Sequence, residues 1–252
     1  LHNFPTGAQM ISGVDEARRA VREQLGYGAD LIKVYADWVN PTLTVEEMTV
    51  IVEEAHKQHR KVAAHATTPE GIKNALTAGV DSIEHGHGIN REDVEMMKAK
   101  GTFLVPTIAV IDRHFEAAKK KNAFTPDERK RVDAFLEGIQ QEIQMAKSLG
   151  VKIAAGFDPG SARAQGKNAT ELEAMVKRGL TPLEAIQAAT INAAELLNWK
   201  EDIGVLEPGH YADVIAVDGN PLADITVLQQ VKWVMKGGTV VKGATETAPA
   251  ER

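Results

Sequence analysis

The feature that most constrains this chain is an alternation, repeated along the first 160 residues, of a short β-favouring apolar run and an amphipathic helical stretch. The runs are Leu31–Tyr35, Lys61–His65, Asp81–His85, Thr102–Pro106 and Val151–Ala155. Helix signals separate them. Thr44-x-x-Glu47 forms a capping box ahead of Val45, Met48, Ile51, Val52 and Ala55 on one face. Thr68-Pro69 starts a helix that Gly79 ends, and the stretch from Asn90 to Lys100 stops at Gly101. A polar helical region follows over about 110–149, restarted at Thr125-Pro126-Asp127-Glu128. Two more helices are predicted near 168–178 and 182–197, and Asp15 to Leu25 reads as a helix ahead of the first run. Alternating strands and helices imply a parallel sheet covered by helices, and such sheets carry function at the carboxyl ends of their strands.

From Gly204 the pattern changes to short strands at Tyr211–Val217, Val231–Met235 and Thr239–Val241, with turns at Pro208-Gly209, Gly219-Asn220-Pro221 and Gly237-Gly238. The expected organisation is an α/β domain over 1–203, a small β-sandwich-like segment over 204–243 and a polar tail over 244–252. Composition narrows the function classes. There is no cysteine, which excludes disulfides, thiolate nucleophiles and Cys-ligated zinc. A net charge of −6 gives no electrostatic reason to expect nucleic acid or an anionic membrane. No apolar run approaches the ~20 residues of a membrane span. The sequence has no Gly-x-Ser-x-Gly elbow, so a serine nucleophile on an α/β-hydrolase sheet is excluded. A cytoplasmic setting is expected.

At or near the strand ends stand Lys33, which lies inside its strand, His65, His85 and Asp158. Two histidines and a carboxylate suit a divalent metal such as Zn²⁺. A lysine ammonium has no lone pair to donate, whereas a lysine carbamate would be an anionic oxygen ligand. Each residue also has a plainer reading. Lys33 could snorkel at a sheet edge, His65 and His85 could be hydrogen-bonded core histidines, and Asp158 before Pro159-Gly160 could organise a turn. The same holds for the candidate substrate contacts. Tyr35, on the same strand face as Lys33, could stabilise an oxyanion or simply pack. His87 could touch substrate or be a solvated loop residue. Arg163 and Asn168 could bind a carboxylate or keep a loop soluble. Glu84, facing opposite to His85 by strand alternation, reads as structural.

The ordered set Ile32-Lys33-Val34-Tyr35-Ala36-Asp37, Ala63-Ala64-His65-Ala66, Ile83-Glu84-His85-Gly86 and Ala155-Gly156-Phe157-Asp158 resembles the metal-dependent amidohydrolase superfamily, in its imidazolonepropionase-like and Xaa-Pro dipeptidase-like branch. Leu180–Ala185, Ala189–Ala194, Gly204–Gly209 and Ala212-Asp213-Val214 extend the likeness. The resemblance implies a TIM-like (β/α) barrel, hydrolysis of an ester or amide bond in a small molecule, and four roles. Lys33 would be the carbamylated ligand, His65 and His85 imidazole ligands, and Asp158 both ligand and proton shuttle. One element departs from that pattern. No His-x-His precedes Lys33, and the one His-x-His, His85-Gly86-His87, belongs to a later strand. By strand count five βα units stand where a closed barrel has eight, so the chain reads as a truncated barrel. A half-site for one Zn²⁺ is then expected, with catalytic Asp158, Lys33 and His85. An ester leaving group departs with less help than an amine, which favours a promiscuous carboxylesterase. The alternatives are a metal-independent hydrolase using Lys33 and Asp158, and a non-enzymatic interaction module. Open sheet edges predict a homodimer.

Overall fold

A computed structural model describes residues 7–243. Helix α1 (Val14–Gly26) precedes β1 (Leu31–Tyr35), followed by α2 (Val45–Lys57), β2 (Lys61–Ala66), α3 (Pro69–Ala78), β3 (Ser82–His85), α4 (Arg91–Lys100) and β4 (Phe103–Val105). The four strands form one parallel sheet in chain order, with Lys33 opposite Ala63 and His65 opposite Glu84. The capping boxes at Thr44/Glu47 and Thr125/Glu128 form as the sequence predicts, and Thr181/Glu184 and Asn90/Asp93 add two more.

The fifth predicted strand is not a regular one. Residues 152–154 run beside β4, with Leu104 N–H donating to Lys152 O at 3.0 Å and Ala154 N–H to Leu104 O at 3.0 Å, but they form only a parallel bridge at Ile153. On the edge away from β4, Ala155 N–H donates to Ala188 O of a helix at 2.9 Å, so a helix and not a further strand lies on that side. Gly156 then passes so close to β4 that a Cβ would lie 2.4 Å from Val105 Cγ1. The polar region is a hairpin of α5 (Ile108–Lys120) and α6 (Pro126–Ser148), and α7 (Thr170–Lys177) follows the loop after residue 156. The helix expected over 182–197 is two, α8 (Pro182–Ala189) and α9 (Ile191–Leu196). Thr190 between them has non-helical φ −124° and ψ −93°, which no single-sequence periodicity reports. Strands β5 (Val214–Ala216), β6 (Trp233–Lys236) and β7 (Thr239–Lys242) make a separate antiparallel sheet. The predicted tail lies outside the described residues.

The core lies on the helix side of the parallel sheet. Ile32, Val34, Val62, Ala64, Ile83 and Leu104 are buried there against Met48, Ile51, Ile72, Leu76 and Met97. Removal of this much apolar area from water is the main favourable term in folding. The other sheet face carries Leu31, Lys33, Tyr35, Lys61, Ala63, His65, Ser82 and Glu84, by the two-residue period of a strand. In a closed barrel this face looks inward. Here it is open, and β1 has no strand on its outer side among the described residues. The sheet is thus a parallel, unclosed arc.

Candidate active site

Register fixes what shares the open face. Lys33 pairs with Ala63, and His65 stands two residues further along the same strand, so Lys33 and His65 point to one side. Tyr35, opposite His65, packs its ring 5.2 Å from the imidazole, and Trp38 from the loop after β1 lies at the same 5.2 Å. Glu84 occupies the same row as His65.

His85 ought then to face the helices. It does not, because its backbone leaves the strand with φ 72°, a left-handed conformation rare for a non-glycine residue. Gly86 continues it at φ 70°, where a Cβ would meet Leu104 Cδ1 at 2.7 Å. The turn swings the His85 ring onto His65, with centroids 4.6 Å apart and edge-on. Alternation therefore misassigns Glu84. It is a half-buried carboxylate on the open face, within electrostatic reach of Lys33 and Asp158, and not a structural residue facing away from the site. Asp158 is also left-handed, at φ 43°, and acts on Lys33, His65 and Glu84 alike.

The charges of this cluster are strongly perturbed. Burial pushes His85 down to about 3, helped by the neighbouring His65, Lys33 and His87. Burial and His65 take His87 down to about 4. His65 is lowered by burial against the pull of Asp37. All three imidazoles are consequently neutral at pH 7 with a lone pair each. Lys33 keeps contact with solvent on the open side, yet desolvation lowers its pKa, with Glu84 and Asp158 opposing. Burial raises Glu84, with Lys33 and the Ser82 hydroxyl, 2.6 Å from it, opposing. Such perturbations concentrate where chemistry is done.

The remaining sequence candidates divide. His87 joins the site, its ring 6.1 Å from His85 and 5.5 Å from Phe135 of α6, with Nδ1 buried and unpaired. Arg163 and Asn168 are exposed in the segment after Asp158, and the backbone carbonyl of Asn168 accepts from Glu171 N–H at 3.0 Å. Two residues escape sequence reasoning. Asp37 is fully buried below His65, its Oδ1 3.7 Å from Nε2, and Thr107 places Oγ1 2.5 Å from His85 Nδ1. Both stand just past a strand end, which is the one signal that could have flagged them.

Among the described residues no three His, Asp or Glu side chains are placed to hold a metal ion. The donor chemistry nevertheless suits one: two neutral imidazoles side by side, and a lysine whose lowered pKa favours the free amine that CO₂ requires. The set fits a single divalent cation with Lys33 as its carbamate, which supplies the third donor.

The arc of parallel strands thus carries histidines, a lysine and an aspartate at or near its carboxyl ends. The amidohydrolase family pattern matches residues 3–241, and the chain belongs to that family. It is 40% identical over 250 residues to ochratoxinase of Aspergillus niger, covering 93% of this chain and 51% of that protein. Imidazolonepropionase of Thermoanaerobacter pseudethanolicus is 26% identical over 69% of this chain and 38% of its own length. A solved Xaa-Pro dipeptidase with methionine bound in its active site superposes with a TM-score of 0.83 at 38% identity, over 92% of this chain and 59% of that one. The chain thus spans about half the length of the ochratoxinase it matches.

Proposed function

We propose that this chain hydrolyses a carboxylic ester or amide bond of a small molecule at the open face of the parallel sheet, with Asp158, Lys33 and His85 as its catalytic groups. The observation that carries the reading is the His65–His85 pair, rings 4.6 Å apart, with Lys33 and Asp158 in electrostatic reach. A Zn²⁺ ion on His65, His85 and the Lys33 carbamate supplies Lewis-acid polarisation of a carbonyl when bound. Asp158, exposed at its strand end, takes a proton from the attacking water and passes it to the leaving group. Tyr35 offers a phenol to the developing oxyanion. His87 lines the site beside His85, and Arg163 and Asn168 are offered for a substrate carboxylate. That the matching solved structures include a dipeptidase supports carbonyl–heteroatom cleavage as the reaction class. Esters should turn over faster than amides, because protonating an amine leaving group falls on Asp158 alone.

A specific observation favours a second reading. Desolvation lowers the Lys33 pKa while Glu84 and Asp158 stay in electrostatic reach, so in this reading the free amine serves as base without metal. Elemental analysis together with p-nitrophenyl acetate hydrolysis before and after exhaustive chelation separates the two. Loss of rate with the metal, restored by Zn²⁺, supports the first, and a retained rate supports the second. Absence of turnover on every ester and amide tested would refute both and favour an interaction module.

We propose further that two copies pair through the open sheet face or the C-terminal strands, and that the protein works in the cytoplasm on a small molecule. The parallel-sheet part over 1–203 would be the catalytic domain and 204–243 an accessory β segment.

A further inference from the structure

A threonine at a helix N-terminus ordinarily turns its hydroxyl back to accept from its own first-turn N–H groups. Thr107, the residue before α5, makes no such bond. It is buried, at 3% exposure, and its φ is 47°, a left-handed conformation that is a genuine outlier for a β-branched residue. From there its hydroxyl is spent on His85 Nδ1, 2.5 Å away.

The helix end is capped from elsewhere. Glu171 of α7, only 1% exposed, places Oε1 2.8 Å from Ile108 N and Oε2 2.7 Å from Ala109 N, accepting from both. One carboxylate thus satisfies two of the orphan donors of α5. Neighbouring contacts tie the same two helices and the Asp158 loop together. Asp112 of α5 pairs with Arg178, and Arg113 donates to Pro159 O and covers the Phe157 ring at 5.6 Å.

We propose that Glu171 is a positioning residue for His85. By capping α5 in place of Thr107, it frees the threonine hydroxyl and holds the 107–109 turn in the strained form that brings Oγ1 to Nδ1. With Nδ1–H donating to Thr107, the Nε2 lone pair is the one left for the site, so the brace selects a tautomer and a ring orientation. This rests on the reading of His85 as a working site residue, but its central claim concerns the imidazole and is testable without turnover.

The test uses the whole chain labelled with ¹⁵N-histidine, the His85 signals being identified by their loss in His85→Gln. Long-range ¹H–¹⁵N correlations report which ring nitrogen carries the proton. Wild type should show one neutral tautomer with the proton on Nδ1. Thr107→Val and Glu171→Gln should both populate the other tautomer, and Thr107→Ser should restore the wild-type pattern. On p-nitrophenyl acetate the first two should lose roughly 10–100-fold in kcat, the usual cost of losing the partner of a site histidine, with KM within about threefold. Unchanged His85 signals in Thr107→Val overturn the proposal. So does a changed Thr107→Val beside an unchanged Glu171→Gln, which would make Glu171 a helix cap only. If Glu171→Gln does not fold, Glu171→Asp, which withdraws the carboxylate by one methylene, takes its place under the same criteria. A wild type without hydrolase activity would refute the functional reading, while the nitrogen signals would still decide the role of Glu171.

Discussion

Asp37 is the residue whose removal should cost the fold most for its size. It sits just past β1 at 0% exposure and holds the start of α3. Its carboxylate accepts from Thr67 N at 2.9 Å, Thr68 N at 3.0 Å and both threonine hydroxyls at 2.9 Å. Thr68 in turn caps α3 by accepting from Gly71 N at 3.1 Å. In Asp37→Ala the two hydroxyls can rotate to other partners, but the two backbone donors stay where the sheet and helix put them. A buried donor left unmet costs about 1–3 kcal/mol, so two of them, softened by some water entry, give roughly 3–5 kcal/mol. At about 2–4 °C per kcal/mol for a chain of this size, Tm should fall by roughly 8–15 °C. The exposed pair Lys73–Glu92 is the control, because Glu92→Ala should cost no more than ~1 kcal/mol.

Gly71 sharpens this test. A Cβ there would lie 2.0 Å from Asp37 Oδ2, so Gly71→Ala must displace the carboxylate or the helix. Alone it should cost several kcal/mol, on the order of a broken buried network. In the Asp37→Ala background the obstructing oxygen is gone, and most of that cost should vanish. The coupling measured by a double-mutant cycle in urea should therefore be large, above about 1.5 kcal/mol. Additive effects, or a Tm loss under ~3 °C for Asp37→Ala, would show that the carboxylate is not what anchors α3.

The other expectations concern charge, chemistry and assembly. Burial raises Glu171 to about 7 against its ordinary 4.5, so the folded state holds a proton that the unfolded chain has released. Its stabilising share is complete below pH ~4.5 and is lost as pH rises towards 7, by up to about 3 kcal/mol. Urea titrations across that range should show the decline, and Glu171→Gln should flatten it. Lys33→Ala and Asp158→Asn should each lower kcat/KM for p-nitrophenyl acetate by at least ~10²-fold. Wild-type rates in these variants would place turnover elsewhere. Light scattering after size exclusion should give a dimer burying more than ~2,000 Å², and a monodisperse monomer would contradict the proposed pairing.

Much of the parallel sheet was legible because its strands have one face under helices. Val62 and Ala64 alternate with Lys61, Ala63 and His65, a capping box opens α2, and glycines close α3 and α4. The run at Val151–Ala155 has the same composition as the others but becomes a single bridge. Its other edge is taken by a helix, Ala155 N–H donating to Ala188 O, a long-range contact that composition does not encode. The candidate site was read as residue types at or near strand ends, a reading that does not tell which neighbours share its face. Glu84 and His85 are adjacent, and a period of two must place them on opposite faces. They share the site region only because His85 leaves the strand at φ 72°. The nearest sequence sign of that departure is Gly86, which follows at positive φ in space too small for a Cβ.

Three of the six non-glycine residues with positive φ among the described residues make one pattern. His85, Thr107 and Asp158 are non-glycine residues with positive φ, and each follows a different segment of the sheet at its carboxyl end. A strand's alternation can offer the open face only every second residue. A left-handed step at the strand end adds a second consecutive side chain, which is how Glu84 and His85 can both serve one site. Such conformations cost of order 1–3 kcal/mol each and persist only where surrounding contacts over-determine them. The contacts are present: Thr107 on His85, Glu171 on the turn after Thr107, and Arg113 on the carbonyl of Pro159 next to Asp158. The site is therefore dense because its strand ends are strained, and the strain is carried by α5 and α7, the helices least visible in the motif that first marks the family.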